Sequence, residues 1–286
     1  MANVSQKVVH QYLRHNKKFP NVWCAGCSIG IVLGSIIRGI AELDIPKDDI
    51  MMVSGIGCSS RMPVYVDFNS LHTLHGRPIA FATGIKAFKP HMKVIVITGD
   101  GDATAIGGNH FIHAARRNID LTVVVINNHI YGMTGGQYSP TTPSGDFAST
   151  CPYGNIDSPF NICNLAIGAG ATYVARSTAF HALEVQNLFK EAILHHGYSV
   201  LEVISACPVI YGRLNKKGSA SRMMEHMRDN SISVKAVEKL PPEQTENKII
   251  RGVIKHDTNL PEYTARYAQL VENLREKRDG GRNEDV

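Results

Sequence analysis

The runs KVIVIT (Lys93–Thr98) and LTVVVI (Leu121–Ile126) constrain the fold more than any other feature. Both are β-branched almost throughout and lack apolar–polar alternation, so each reads as a strand covered on both faces. Between them Ile106–Arg117 reads as a helix, which makes strand, crossover and return a βαβ unit. Apolar spacing predicts further helices over Ser28–Leu43, Gly76–Phe88, Phe160–Gly170 and Phe180–His196, and strands over Ile50–Val53, Thr172–Ala175 and Ser199–Ile204. Alternation of this kind implies an α/β fold, a doubly wound and mostly parallel sheet with helices on both faces. Ligands in such sheets bind beyond the carboxyl ends of the strands. Those ends lead here into Gly55–Arg61, Gly99–Thr104, Asn127–Gln137 and Ser205–Tyr211. After Asn230 the pattern weakens and prolines interrupt it. The expected division is an arm over 1–20, a binding domain over 21–228, and an extension over 229–286 that ends in a disordered polar tail.

Composition removes several function classes. The 286 residues carry a net charge of +5. The basic stretches Arg14–Lys18 and Arg275–Arg282 read as solvated surface rather than as a nucleic-acid patch. No segment reaches the roughly 20 apolar residues of a membrane span, and the polar N-terminus lacks a secretory core. A cytoplasmic protein is expected. In that setting the six cysteines point to metal or redox chemistry rather than to disulfides.

The loop TGDGDATAIGG (98–108) is a glycine turn with carboxylates in it. Gly99 and Gly101 begin a dinucleotide fingerprint, but Thr104 stands where its third glycine belongs. Asp100 would repel a pyrophosphate unless a divalent cation lay between them, and Mg²⁺ is commonly held by one or two protein oxygens together with phosphate oxygens. The next strand ends in Asn127-Asn128, with 26 residues separating Asp100 from Asn127.

Cys24 and Cys27 form a C-x-x-C just before a helix. Cys58 (GIGCSS) and Cys207 (SACP) lie on two of the strand-end loops. Four thiolates gathered at one sheet edge suit a [4Fe–4S] cluster, while spacing alone leaves zinc open. A thioredoxin-like site would need a strand before the C-x-x-C, and His10–Pro20 is too polar to be one. Cys151 and Cys163 read as a loop thiol and a core thiol.

Taken together, WCAGC, SGIGCSS, HGR, GDGDATAIGGNHFIHAARRN, NNHIYGMTGGQ and SACP resemble the β subunit of 2-oxoacid:ferredoxin oxidoreductases over about residues 20–225. The resemblance implies a thiamine diphosphate site at Ile56, Gly57, Cys58, Ser59, His75, Gly101, Asp102, Gly132 and Met133. It implies Mg²⁺ on Asp100, Asn128 and the Ile130 carbonyl, and one [4Fe–4S] cluster on Cys24, Cys27, Cys58 and Cys207. Asp102 has two expected roles, orienting the cofactor or holding a helix-start amide.

The family chemistry is oxidative decarboxylation of a 2-oxoacid to an acyl-CoA, with electrons passing through the cluster to ferredoxin. It also needs an activating glutamate. The chain has length for one such α/β unit, and Glu42 and Glu184 fall on predicted helices. That glutamate and most of the coenzyme A site are therefore expected on an α partner, in an αβ or (αβ)2 complex. Gly135 stands where some relatives carry lysine, which resembles the 2-oxoglutarate type and leaves Arg61 as a cation for the substrate. Pyruvate or a branched-chain 2-oxoacid is the alternative substrate. A non-redox thiamine diphosphate lyase half and a zinc-stabilised assembly protein are the rival classes.

Overall fold

The computed structural model describes residues 8–16 and 20–280. Its strands are Ile50–Ser54 (β1), Asn69–His72 (β2), Lys93–Gly99 (β3), Leu121–Asn127 (β4), the small hairpin Ile130–Tyr131 (β5) and Gln137–Tyr138 (β6), then Tyr173–Thr178 (β7), Tyr198–Ile204 (β8), Ser231–Ser233 (β9) and Ile249–His256 (β10). Apart from the hairpin they form one sheet in the order β2-β1-β3-β4-β8-β7-β10-β9. From β2 to β7 every neighbouring pair is parallel.

The β-branched runs explain this centre. β4 and β8 are buried at every position. Ile95, Ile97, Val124, Ile126, Leu201 and Val203 face one core, shared with Ile29–Glu42 (α1) and Ala182–Leu194 (α5). Val94, Val96, Val123, Val125 and Val200 face the other, shared with Pro78–Phe88 (α2), Gly108–Arg117 (α3) and Ile162–Ala169 (α4). Successive side chains thus alternate between two apolar layers, and no strand in the middle needs a polar face.

Two boundaries move for local reasons. Helix α2 starts at Pro78, the first helical position that proline favours. The helix expected from Ile106 starts at Gly108, because Asp102–Ile106 forms a π-helical turn. A second π turn, Pro208–Gly212, follows Cys207. Such turns are rare and cluster at functional sites.

The C-terminal part departs most from expectation. β10 pairs antiparallel with β7, from Gly252 opposite Arg176 to His256 opposite Tyr173, and β9 pairs with β10. The extension therefore adds strands to the sheet. Its pattern is weak because β10 is only half-buried and carries a bulge between Val253 and Lys255. The polar tail is helical over Tyr263–Gly280, after Ala220–Asp229 (α6) the last of the longer helices. The Glu262 carboxylate accepts from Thr264 N, Ala265 N and Asp120 N, which opens that helix and ties it to the start of β4. In the expected N-terminal arm, Leu13 bridges to Val66 and Arg14 Nε donates to the Val66 carbonyl. Residues 1–7, 17–19 and 281–286, which hold the rest of the arm and the end of the tail, lie outside the described residues.

One ion pair lies inside the sheet. Arg176 on β7 donates to Glu202 on β8 at 2.7 Å, and Glu202 also accepts from Asn127 Nδ2 at 2.8 Å and from the Cys163 thiol at 3.3 Å. Burial opposes the Glu202 charge, but Arg176 and these hydrogen bonds outweigh it and hold the carboxyl below its usual range. Glu202→Ala leaves a buried guanidinium unpaired and is expected to cost about 3–5 kcal/mol, read as a lower urea midpoint. Because the folded value is depressed, this contribution is intact above the ordinary glutamate value of about 4.3 and is lost as pH falls towards the folded value. The gap in midpoint between wild type and Glu202→Gln should therefore close in acid; a gap independent of pH contradicts the assignment.

Candidate functional site

Beyond the carboxyl ends of β1, β3 and β4 their loops enclose a cavity of about 100 Å³. It is lined by Ile56–Ser59, His75, Gly99–Asp102, Asn128 and Ile130–Thr134, with Ile126 at its base. Every residue expected to hold thiamine diphosphate or Mg²⁺ is on this wall. Segments separated by some eighty positions in sequence meet here because the parallel order β1-β3-β4 brings their ends side by side.

Asp102 fastens three of the segments together. Its Oδ1 accepts from Gly76 N at 2.7 Å, Ile56 N at 3.3 Å and His75 Nδ1 at 2.5 Å; its Oδ2 accepts from Thr98 Oγ1 at 2.8 Å. The carboxylate is buried, and its hydrogen-bonding capacity is taken up by the protein itself. Of its two expected roles, the structure displays the amide-holding one, and it adds a second loop to the first.

Asp100 is also buried, with a different set of partners. Ser139 Oγ and Thr141 Oγ1 approach Oδ2 at 2.5 and 2.7 Å, and Thr104 Oγ1 donates to its backbone carbonyl. Among the described residues it has no ion-pair partner. Burial pushes its carboxyl up, the hydroxyls and nearby His129 only partly opposing this. One face of a carboxylate is thus gripped by hydroxyls while the group lacks a counter-charge. That donor chemistry suits a hard cation.

The turn that follows β4 is held by two asparagine side chains. Asn127 Oδ1 accepts from His129 N, and Asn128 Oδ1 from Ile130 N at 3.3 Å. His129 sits at φ +62°, a conformation uncommon outside glycine, and is secured by its bonds to Thr141 and Thr142. Gly101 is a glycine for a reason the sequence conceals. A Cβ there would overlap the Tyr131 ring and hydroxyl, and that hydroxyl donates to the Gly101 carbonyl.

Cys24, Cys27, Cys58 and Cys207 lie near one another, and Cys151 and Cys163 lie elsewhere. Cys24 is exposed, and Cys27 N donates to its carbonyl in a tight turn. A Cβ on Gly132 would lie 3.6 Å from both the Cys58 and the Cys207 sulfur. Cys27 and Cys58 are each pushed up to about 11, first by burial and further by the charges of neighbouring members of this group. Cys58 also lines the cavity. Trp23 Nε1 donates to the Cys58 carbonyl at 2.8 Å and fixes that loop against the C-x-x-C segment. Cys163 is buried against Glu202, and Cys151 lies in the 146–151 loop.

Arg61, on the helical turn Ser59–Val64, does not line the cavity. Glu42 pairs with Lys190 and Glu184 with Arg251, so neither points into it. Sequence reasoning missed Ser139, Thr141 and Tyr131. The first two belong to an ordinary-looking polar turn, SPTT, that only the tertiary fold brings to Asp100.

Comparison with known proteins agrees with this geometry. The family model described as thiamine pyrophosphate enzyme, C-terminal TPP binding domain, matches residues 55–203. The chain is 50% identical over 277 residues to the 2-oxoglutarate synthase subunit KorB of Methanothermobacter marburgensis, covering 97% of this chain and 96% of that one. It is 38% identical to the 2-oxoacid:ferredoxin oxidoreductase subunit beta of Saccharolobus solfataricus, over 82% of this chain and 77% of that one. A solved 2-oxoglutarate:ferredoxin oxidoreductase from Magnetococcus marinus, with 2-oxoglutarate, coenzyme A and succinyl-CoA bound, superposes with a TM-score of 0.82 at 35% identity, covering 93% of this chain and 90% of its counterpart. The chain belongs to the β subunits of the 2-oxoacid:ferredoxin oxidoreductases, a family of thiamine pyrophosphate enzymes.

Proposed function

We propose that this chain is the cofactor-carrying β subunit of a 2-oxoglutarate:ferredoxin oxidoreductase. With an α partner it forms succinyl-CoA and CO₂ from 2-oxoglutarate and coenzyme A, and electrons leave through one [4Fe–4S] cluster. The names of the relatives support the substrate. The observation that carries the redox reading is the position of Cys58, which belongs both to the cavity wall and to the sulfur group around Gly132.

Thiamine diphosphate, when bound, supplies the electron sink for decarboxylation. Asp100, Asn128 and the Ile130 carbonyl would hold the Mg²⁺ that offsets its diphosphate. Ile56, Gly57, Ser59, His75, Gly132 and Met133 form the wall against which the cofactor rests, and Asp102 keeps that wall in place. Cys24, Cys27, Cys58 and Cys207 would hold the cluster.

A cavity of about 100 Å³ is well below the roughly 300 Å³ of a small-molecule site. The other wall, with the activating glutamate and most of the coenzyme A contacts, is assigned to the α partner. Arg61, two residues beyond the cavity-lining Ser59, is the chain's own cation for the substrate's distal carboxylate.

Two variants should have opposite effects. In anaerobic preparations Asp100→Asn should lose Mg²⁺-dependent binding of thiamine diphosphate and keep iron, sulfide and brown colour. Cys24→Ser should keep cofactor binding and lose iron and electron transfer. Stoichiometric zinc without iron would establish the assembly-protein reading instead. The αβ complex should reduce a viologen dye with 2-oxoglutarate in preference to pyruvate or branched-chain 2-oxoacids, and the β chain alone should turn over none of them. Turnover by the lone chain would refute the two-walled site.

A further inference from the structure

We propose that the basic segment Arg213–Arg222 is the docking surface for a small acidic one-electron carrier protein of the ferredoxin class. The proposal rests on the reading of Cys24, Cys27, Cys58 and Cys207 as cluster ligands. It adds where the electron leaves and which residues receive the carrier.

The segment RLNKKGSASR contains four cations and no acidic residue. Its position is set by the cysteines on both sides of it. Gly212 N closes the π turn on the Cys207 carbonyl at 2.9 Å, and Lys217 N returns to the Gly212 carbonyl at 2.8 Å. Lys216 takes a left-handed conformation, φ +51°, where the segment folds back. Ala220 then lies against Gly26, the second of the two residues between the cysteines of the C-x-x-C. The space a Gly26 Cβ would need is taken by the Ala220 side chain, with Pro208 Cγ at 3.6 Å. The basic segment is therefore packed between two of the loops that carry the sulfurs.

Arg213, Lys216, Lys217 and Arg222 are all exposed. Lys217 pairs with Asp146 at 3.2 Å, and Arg222 has a looser contact with Glu225 at 3.5 Å on a side chain 74% exposed. Arg213 and Lys216 have no ion pair among the described residues. Exposed pairs of this sort contribute little to stability, so the positive charge is available to a partner. Cys24 is the exposed member of the sulfur group, so the edge of the site nearest solvent borders this surface.

Electron transfer weakens steeply with distance, and a carrier must leave after each transfer. Small, weak, charge-steered interfaces meet both needs. The step moves one electron and no proton: the reduced cluster is oxidised, the carrier is reduced, and no covalent bond forms or breaks. Opposite charge on the carrier raises its encounter rate and orients its redox centre towards the Cys24 edge.

The test uses the αβ holoenzyme carrying Arg213→Glu and Lys216→Glu, with iron content measured alongside. Two electron acceptors are compared: methyl viologen, which needs no protein interface, and an acidic ferredoxin. Viologen reduction and iron content should match wild type. The KM for ferredoxin should rise by about tenfold or more, and the fall of ferredoxin kcat/KM with salt seen in wild type should flatten. Arg213→Lys with Lys216→Arg should behave as wild type. An unchanged ferredoxin KM with the same salt dependence overturns the docking surface and leaves the proposed enzyme intact. Failure of wild type to reduce viologen overturns the enzyme reading and the docking surface with it.

Discussion

A single buried carboxylate determines whether the site exists at all. Asp102 accepts hydrogen bonds from two backbone amides, an imidazole and a hydroxyl, drawn from the loop after β1, the entry to α2 and the end of β3. Loops carry little order of their own, and bringing the ends of several together costs conformational entropy. A charge-assisted acceptor shared between them offsets part of that cost. Asp100, two residues earlier, has the opposite character. It is gripped from one side by Ser139 and Thr141 and has no ion-pair partner among the described residues. The two acids of the glycine loop thus differ: Asp102 ties three segments together, while Asp100 is bound only by hydroxyls on one side.

The sheet was legible because its signal is strong and local. Uninterrupted β-branched runs such as Lys93–Thr98 have few alternatives to a doubly covered strand, and their loops then fall at one edge by topology. The C-terminal strand was not legible. β10 is half-covered and bulged, so its apolar pattern is diluted where it joins β7. At the site, residues carried in continuous motifs could be placed in advance, including Asp100, Asn128 and the four cysteines that come together. Ser139, Thr141 and the link from Asn127 to Glu202 could not, because each depends on contact between segments whose sequences say nothing of one another. Asp102 lay between these cases: its presence was plain, and its partners were not.

Glycine does two jobs here that composition cannot separate. At 101 its missing side chain makes room for Tyr131, a partner within the fold. At 132 it lies on the cavity wall, where a Cβ would sit 3.6 Å from two sulfurs. The dense glycine content of these loops therefore reflects close packing as much as room for a ligand. The same packing keeps the cavity between these loops small, at about 100 Å³.

Trp23 is the only tryptophan in the chain, and its indole N–H is bonded to the backbone of Cys58. Its ring rests on Tyr65, with centroids 5.3 Å apart. The tryptophan emission of this subunit thus comes from one address, at the joint between the sulfur group and the cavity wall. Nature has labelled the loop that both halves of the site share, so its ordering can be followed by light, in the unmodified protein, without attaching a probe.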